Sequence, residues 1–345
     1  MLVGRCYPEL KDVQILRGDF VPSVVILCTG NSCRSILAEA LWREETGGQW
    51  RCASAGTQPT GTPHPLARAV LAEEGISVEG LTSQAVADFA GEQFDLAVTV
   101  CDLARQECPV FPGALRTVHW PFPDPAIHTS GDQITKTGLQ VFRTARDAIR
   151  ERIQRYMISV DLERRLNLVI DQLPGDVPAV RRDAYRILVS RSCIALDDHD
   201  GWSLLPGIVG ETMGSFGWGW NGIYQLKDGG SVRRLELLHG AGPPVCTTIE
   251  EQPDSQPSGM CFDAVQQGSI LIAFDVTKWP GYISCDGESG LKTVAGIARP
   301  ILDESGEVVA VWDLDCTEQL NPADALVMDA LIEGFGANGP PRWNR

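Results

Sequence analysis

Cys28 and Arg34, in the stretch VVILCTGNSCRS, are the residues of this chain whose types and spacing point most directly to chemistry. A thiol at the end of an apolar run, a short loop of small polar residues, an arginine and the start of a helical pattern make a cradle for a tetrahedral oxyanion. The backbone N–H groups of Thr29, Gly30, Asn31, Ser32 and Cys33 converge on one spot at the helix N-terminus. Arg34 can fork two donors onto the same anion. That positive field predicts a lowered pKa for Cys28 and a thiolate nucleophile. Phosphate, arsenate and sulfate are alike in shape and charge, so the cradle does not choose among them.

Other residues discriminate. In VTVCDLARQECPVFPG, Cys101 closes an apolar run and Cys108 follows seven residues later. A Cys101 thiolate can attack a covalent adduct on Cys28, and Cys108 can then attack the mixed disulfide and carry the oxidation outward. Phosphate ester hydrolysis has no use for such a relay, because water alone breaks a thiophosphate. Arsenic bound to sulfur can be reduced while two thiols become a disulfide. Asp124, between the prolines of HWPFPDPA, sits on a restricted backbone and can protonate a leaving oxygen. Taken alone it would be an ordinary turn aspartate.

A second group of residues lies in the C-terminal half. Cys246, Cys261 and Cys285 fall in loop-rich sequence, and Asp313 and Asp315 alternate in VVAVWDLD. Period two puts both carboxylates on one face of a strand. Trp220 and Tyr224 share a face in WNGIYQL, where they serve either core packing or a pocket for a small cationic or sulfur-bearing ligand.

These residues need elements to hold them. Strands are predicted at 23–28, 51–54 and 94–100, and helices at 34–46, 64–74 and 135–157. Their alternation implies a parallel sheet covered on both faces, with the cysteine loop at a strand's carboxyl end. Residues 158–196 read as two helical pieces broken by Pro174-Gly175, a linker or a dimerisation element. Beyond 200 glycine and tryptophan become frequent. Strand-like runs at 218–226, 232–238, 269–276, 294–302 and 307–314 are separated by turn residues, and a helix at 322–335 follows. This is an α+β pattern with a mainly antiparallel sheet. The expected domains are 1–157, a helical linker at 158–196, and 197–345.

The 345 residues carry a net charge of −16, which argues against a nucleic-acid partner or an anionic membrane surface. No apolar run reaches the length of a membrane span, and the first residues lack the hydrophobic core of a secretory signal. A cytoplasmic protein is therefore expected, in a compartment where disulfides are transient and catalytic. The 11 cysteines show no paired C-x-x-C framework and there are only 5 histidines, so no metal centre is expected.

With these motifs in hand, residues 23–157 resemble the thioredoxin-coupled arsenate reductases, which use the low-molecular-weight tyrosine phosphatase fold. CTGNSCRS with the following AEALW, CASAGT at 52–57, VTVCDLARQECPVFPG and HWPFPDPA carry the resemblance. It implies a four-stranded parallel sheet with flanking helices. It also implies Cys28 as nucleophile, Arg34 and Ser35 as oxyanion binders, Asp124 as general acid, Cys101 and Cys108 as a shuttle pair, arsenate as substrate and a thioredoxin-like reductant. Phosphatases of this fold usually have tyrosine after the Asp-Pro; here it is Ala126, which favours the reductase. Asn31, Glu39 and Ser54 match the ligands of a potassium ion that members can hold, but Gln84 stands where an aspartate is expected. No cofactor is implied.

Residues 200–336 resemble a GAF domain, specifically that of the free methionine-R-sulfoxide reductases, through PGYISCD, VVAVWDLD and the separation of Cys261 from Cys285. The resemblance implies Cys285 as nucleophile, Cys246 as its resolving partner, Cys261 as accessory, Asp313 and Asp315 polarising a sulfoxide, and Trp220 walling the pocket. The glutamate expected after the catalytic cysteine is replaced by Lys292 or Gly296. Hence the C-terminal half either reduces free methionine sulfoxide or senses a small ligand or redox state. A homodimer is expected by the same analogy. The alternative for the whole chain is a tyrosine phosphatase with a regulatory GAF domain.

Overall fold

The computed structural model describes residues 21–107, 111–128, 135–196, 201–229, 232–243, 246–253, 256–284 and 290–336. They form two units that divide between Gln154 and Arg155.

In the first unit the β-branched run of β1 (Ser23–Cys28) is buried along its whole length, as a central parallel strand must be. It lies between β2 (Arg51–Gly56) and β3 (Phe94–Thr99), and β4 (Ala114–His119) extends the sheet in the order β2-β1-β3-β4, all parallel. Val25 and Leu27 pack with Phe89, Phe94 and Phe111 on one face. Helix α1 (Arg34–Glu45) follows the cysteine loop directly and buries Ile36, Leu37, Leu41 and Trp42. It stops at Thr46, before two glycines with positive φ. Next come α2 (Pro65–Ala72) and the short α3 (Asp102–Glu107). β4 has no counterpart among the strands read from periodicity. Its residues ALRTVH are half-buried to exposed, so the edge strand carries little apolar signal.

Helix α4 (Lys136–Asp171) runs 36 residues, well past the expected end at 157. No proline interrupts it, and its apolar stripe continues through Leu162, Leu166 and Ile170. It ends near Pro174, where Arg182 donates to the carbonyls of Ile170 and Leu173 at 2.8 Å. Residues 158–196 therefore do not stand apart as a linker. The second half of α4 and all of α5 (Ala179–Leu196) enter the core of the second unit, because Leu166, Ile170, Tyr185, Leu188 and Val189 need an apolar face to cover.

That face belongs to a six-stranded antiparallel sheet in the order β7-β6-β5-β10-β9-β8. Its strands are β5 (Trp218–Gly229), β6 (Val232–Ala241), β7 (Thr248–Glu250), β8 (Leu271–Ala273), β9 (Ala295–Leu302) and β10 (Val308–Cys316). Helix α6 (Gly201–Met213), in a stretch whose sequence shows only a glycine- and tryptophan-rich texture, and α8 (Pro322–Gly336) cover one face with α5. Helix α7 (Met260–Gln267) covers the other, on Trp220, Tyr224 and Val311. α5 and α8 are tied by the fully buried Asp324, which accepts from Arg181 at 2.5 and 2.6 Å and from the Tyr185 hydroxyl at 2.6 Å. Of the predicted strand at 269–276 only Leu271–Ala273 pairs; a turn of 3-10 helix capped by Asp275 begins at Val276.

Candidate functional sites

The loop after β1 is shaped by its carbonyls. Those of Cys28, Thr29, Gly30 and Ser32 accept the N–H groups of Thr57, Gln58, Thr60 and His64 at 2.9–3.1 Å. The segment after β2 thus acts as a strap that pulls the loop's carbonyls outward and leaves its amides facing the other way. Gly56 is where the strap begins: a Cβ there would lie 2.6 Å from the Thr29 carbonyl oxygen and 3.0 Å from Asn31 N. Sequence reasoning missed the strap, although GTQPTGTPH is dense in the small and proline residues such a segment needs.

Asn31 takes a left-handed conformation, φ 42°, which asparagine tolerates better than most residues. Its N–H points at Cys28 Sγ at 2.9 Å, and Ser35 Oγ lies 2.9 Å from the same sulfur. The Asn31 side chain donates to Ser35 and Ser54 at 3.0 and 2.8 Å and accepts the Gln84 N–H at 2.6 Å. Ser54 in turn donates to the buried Glu39 at 2.6 Å. Burial pushes the Glu39 carboxyl up, and the Arg43 guanidinium is its ion-pair partner. The group that sequence analogy matches to potassium ligands is therefore tied to a cationic side chain of the protein itself.

Two expectations for the cradle need correction. Cys28 is 4% exposed, and burial pushes its thiol up rather than down. The hydrogen bonds from Ser35 and Asn31 and the charge of Arg34 work against that shift without overcoming it. Arg34 also does not present a free fork. Nη2 donates to Asp124 Oδ2 at 2.7 Å and Nη1 to the Phe122 carbonyl at 3.0 Å. The carboxylate thus competes for the guanidinium an anion would use. Both groups face one pocket of about 690 Å³ together with Cys28, Gly30, Asn31 and Ser32. Cys33 faces it too, its thiol pushed up to about 11 by burial. The Asp124 loop is closed on itself by the Ala126 N–H on Oδ1 at 3.0 Å.

Cys101 is buried just before α3. Its Sγ lies 3.4 Å from Thr29 Oγ1 and accepts the Ala104 N–H at 3.4 Å. It is near enough to Cys28 for its charge to raise that thiol further. Cys108 lies outside the described residues.

In the second unit Asp313 stands opposite Gly222, Asp315 opposite Trp220, and Val311 opposite Tyr224. Both carboxylates and both aromatics therefore share one face, as the period-two pattern predicts. Asp313, Asp315 and Cys261 line a cavity of about 50 Å³ with Met260, Tyr282 and Ile283. Cys261 Sγ donates to Asp313 Oδ1 at 3.2 Å. Burial raises the Asp313 carboxyl to about 6. Trp220 is not among the described residues of the cavity wall. It lies buried across Gly222 and Gly240, whose missing side chains make room for its ring, and Tyr224 is core beside it. The Tyr224 hydroxyl donates to the Cys246 carbonyl at 2.9 Å. Cys285 lies outside the described residues.

Comparison with known proteins places residues 23–166 in the low molecular weight phosphotyrosine protein phosphatase family. The arsenate reductase of Bacillus licheniformis is 36% identical over 134 residues, 39% of this chain and 94% of that protein. A solved arsenate reductase in the phosphate binding state is 28% identical over 39% of this chain and 94% of its own, with a TM-score of 0.33. The free methionine-R-sulfoxide reductase from Neisseria meningitidis, in complex with its substrate, is 26% identical over 47% of this chain and 91% of its own, with a TM-score of 0.38.

Proposed function

The chain belongs to the arsenate reductases of the low molecular weight phosphotyrosine protein phosphatase family, and from that premise we propose that its first unit reduces arsenate to arsenite by a relay of thiols. One observation carries the reading: a cysteine inside an anion loop has a second buried cysteine beside it, with Thr29 reaching from the loop to that second sulfur. In the first step Cys28 Sγ bonds to arsenic and one arsenic–oxygen bond breaks. The oxygen leaves as water, taking the thiol proton and one that the acid arsenate supplies, directly or by way of the Asp124 carboxylate. In the second step Cys101 attacks Cys28 Sγ. A disulfide forms, the arsenic–sulfur bond breaks with its electron pair kept by arsenic, and arsenite leaves with arsenic reduced by two electrons. Cys108 then attacks Cys101 and frees Cys28. A dithiol protein of the thioredoxin class returns the Cys101–Cys108 disulfide to thiols.

The test is arsenate-dependent consumption of reducing equivalents through a thioredoxin system. Turnover is expected from the wild type and is lost in Cys28→Ser, Cys101→Ser and Cys108→Ser. Rapid phosphotyrosine hydrolysis without arsenate turnover, untouched by Cys101→Ser, would establish the phosphatase instead.

For the second unit we propose a small-ligand site at the Cys261–Asp313–Asp315 cavity, with free methionine-R-sulfoxide as the ligand. Asp313, whose carboxyl is raised to about 6, can share a proton with a sulfoxide oxygen. Full-length protein given free methionine-R-sulfoxide and the same reductant separates the roles. Turnover lost in Asp313→Asn and Cys285→Ser supports reduction, saturable binding without turnover a sensor, and no binding ends both.

A further inference from the structure

Three side chains bracket Cys101 in a chain that the relay does not use. β3 and β4 run in register with Thr99 beside His119, and Thr99 Oγ1 lies 2.9 Å from His119 Nδ1. On the other side of the ring, Nε2 lies 3.1 Å from Asp102 Oδ1. Asp102 is the first residue of α3 and follows Cys101 directly. A carboxylate only accepts, so Nε2 carries the proton toward Asp102, while Nδ1 pairs with Thr99 Oγ1, a hydroxyl that also reaches the Val118 carbonyl at 3.3 Å. Thr99 is 1% exposed and the His119 side chain 15%, while Asp102 is open to solvent at 79%. The half-buried imidazole thus joins the last residue of β3 to the first residue of α3. The turn between them, Val100-Cys101, is the one that aims the second thiol.

We propose that His119 is a positioning residue for the second sulfur: through Thr99 and Asp102 it fixes the β3–α3 turn, so that Cys101 Sγ stays against Thr29 Oγ1 and in line with Cys28. The inference rests on the thiol-relay reading, and its chemistry is the disulfide step already written: Cys101 and Cys28 lose two electrons to arsenic, or to an added oxidant. The imidazole exchanges no electrons and touches neither arsenate nor Cys28. Asp102, being exposed, contributes little through charge alone. Its part is geometric: it ends the hydrogen-bonded chain on the helix backbone.

The test uses full-length protein carrying Cys108→Ser, so that the Cys28–Cys101 disulfide accumulates and can be counted by mass spectrometry. Its formation is timed with arsenate and, separately, with diamide as a substrate-free oxidant. The rate of Cys28 alkylation by iodoacetamide reports the first thiol alone. His119→Ala is expected to slow disulfide formation about tenfold or more with either oxidant while alkylation stays within twofold. Asp102→Ala, an exposed change that leaves folding intact, should give a smaller loss of the same kind. His119→Gln, which keeps an amide donor toward Asp102, should recover part of the rate. Disulfide formation at the wild-type rate in His119→Ala, or an equal fall in alkylation and disulfide rates in both alanine variants, overturns the proposal. Failure with arsenate but the expected pattern with diamide would refute the arsenate reading and leave the positioning role standing.

Discussion

Replacing Asp124 by asparagine should move binding and turnover in opposite directions. Arg34 gives one guanidinium nitrogen to Asp124 Oδ2 at 2.7 Å, and the pair is only partly exposed, 15% and 31% at the two side chains. An incoming arsenate must share or displace that bond, and it also meets the carboxylate's charge. A charge-assisted hydrogen bond contributes about 1.5–3 kcal/mol, and the partial exposure argues for the low end. Asparagine keeps the shape, removes the charge and leaves an amide oxygen as a weaker acceptor. Removing about 1.4 kcal/mol of competition corresponds to roughly tenfold tighter anion binding. If Asp124 supplies a proton to the leaving oxygen, kcat should fall by about 10²–10⁴. Binding can be read without turnover, as protection of Cys28 from iodoacetamide by inorganic phosphate, and kcat from the thioredoxin-coupled assay. Weaker phosphate protection in Asp124→Asn would show that the carboxylate does not hold Arg34 back. An unchanged kcat would remove Asp124 from the proton path.

Because burial holds the Cys28 thiol above its ordinary value, its alkylation should be slower at pH 7 than that of an exposed cysteine and should keep rising past pH 9; a plateau near pH 6 would contradict this. Gly56→Ala should lower kcat/KM for arsenate at least about 100-fold by pushing the strap off Thr29 and Asn31, with the melting of the second unit unchanged; wild-type kinetics would mean the strap is dispensable. The Asp313 carboxyl, raised to about 6, binds more protons folded than unfolded between the ordinary carboxylate range and pH 6. Stability of the second unit should therefore be greatest at the acid end of that window and fall as pH rises toward 6. Asp313→Asn should flatten that slope in urea titrations, and an unchanged slope would assign it to other groups.

The local code was legible in the chain. The run Val24 to Leu27 could only be a buried strand, and the C-x5-R spacing with a helix pattern behind it located the anion loop. Alternation in VVAVWDLD placed Asp313 and Asp315 on one face. Those features depend on neighbours within a few residues, where periodicity and backbone preference act. The unpaired-looking edge strand β4 and the full length of α4 were harder, because half-buried residues and a stripe that changes partners midway carry weak patterns.

What tertiary structure alone decided is the state of the reactive groups. Charge near Cys28 could be counted from the sequence, but the depth of its burial could not, and desolvation outweighs the nearby positive charge. The residue that occupies Arg34 comes from 90 positions away, and the strap that orients the loop from the end of another strand. Likewise Trp220, which the sequence left between core packing and a pocket wall, lies where two glycines on paired strands make room for its ring. The order of residues sets which groups are available; only packing brings distant ones together and removes water from between them, and that removal fixes their charge.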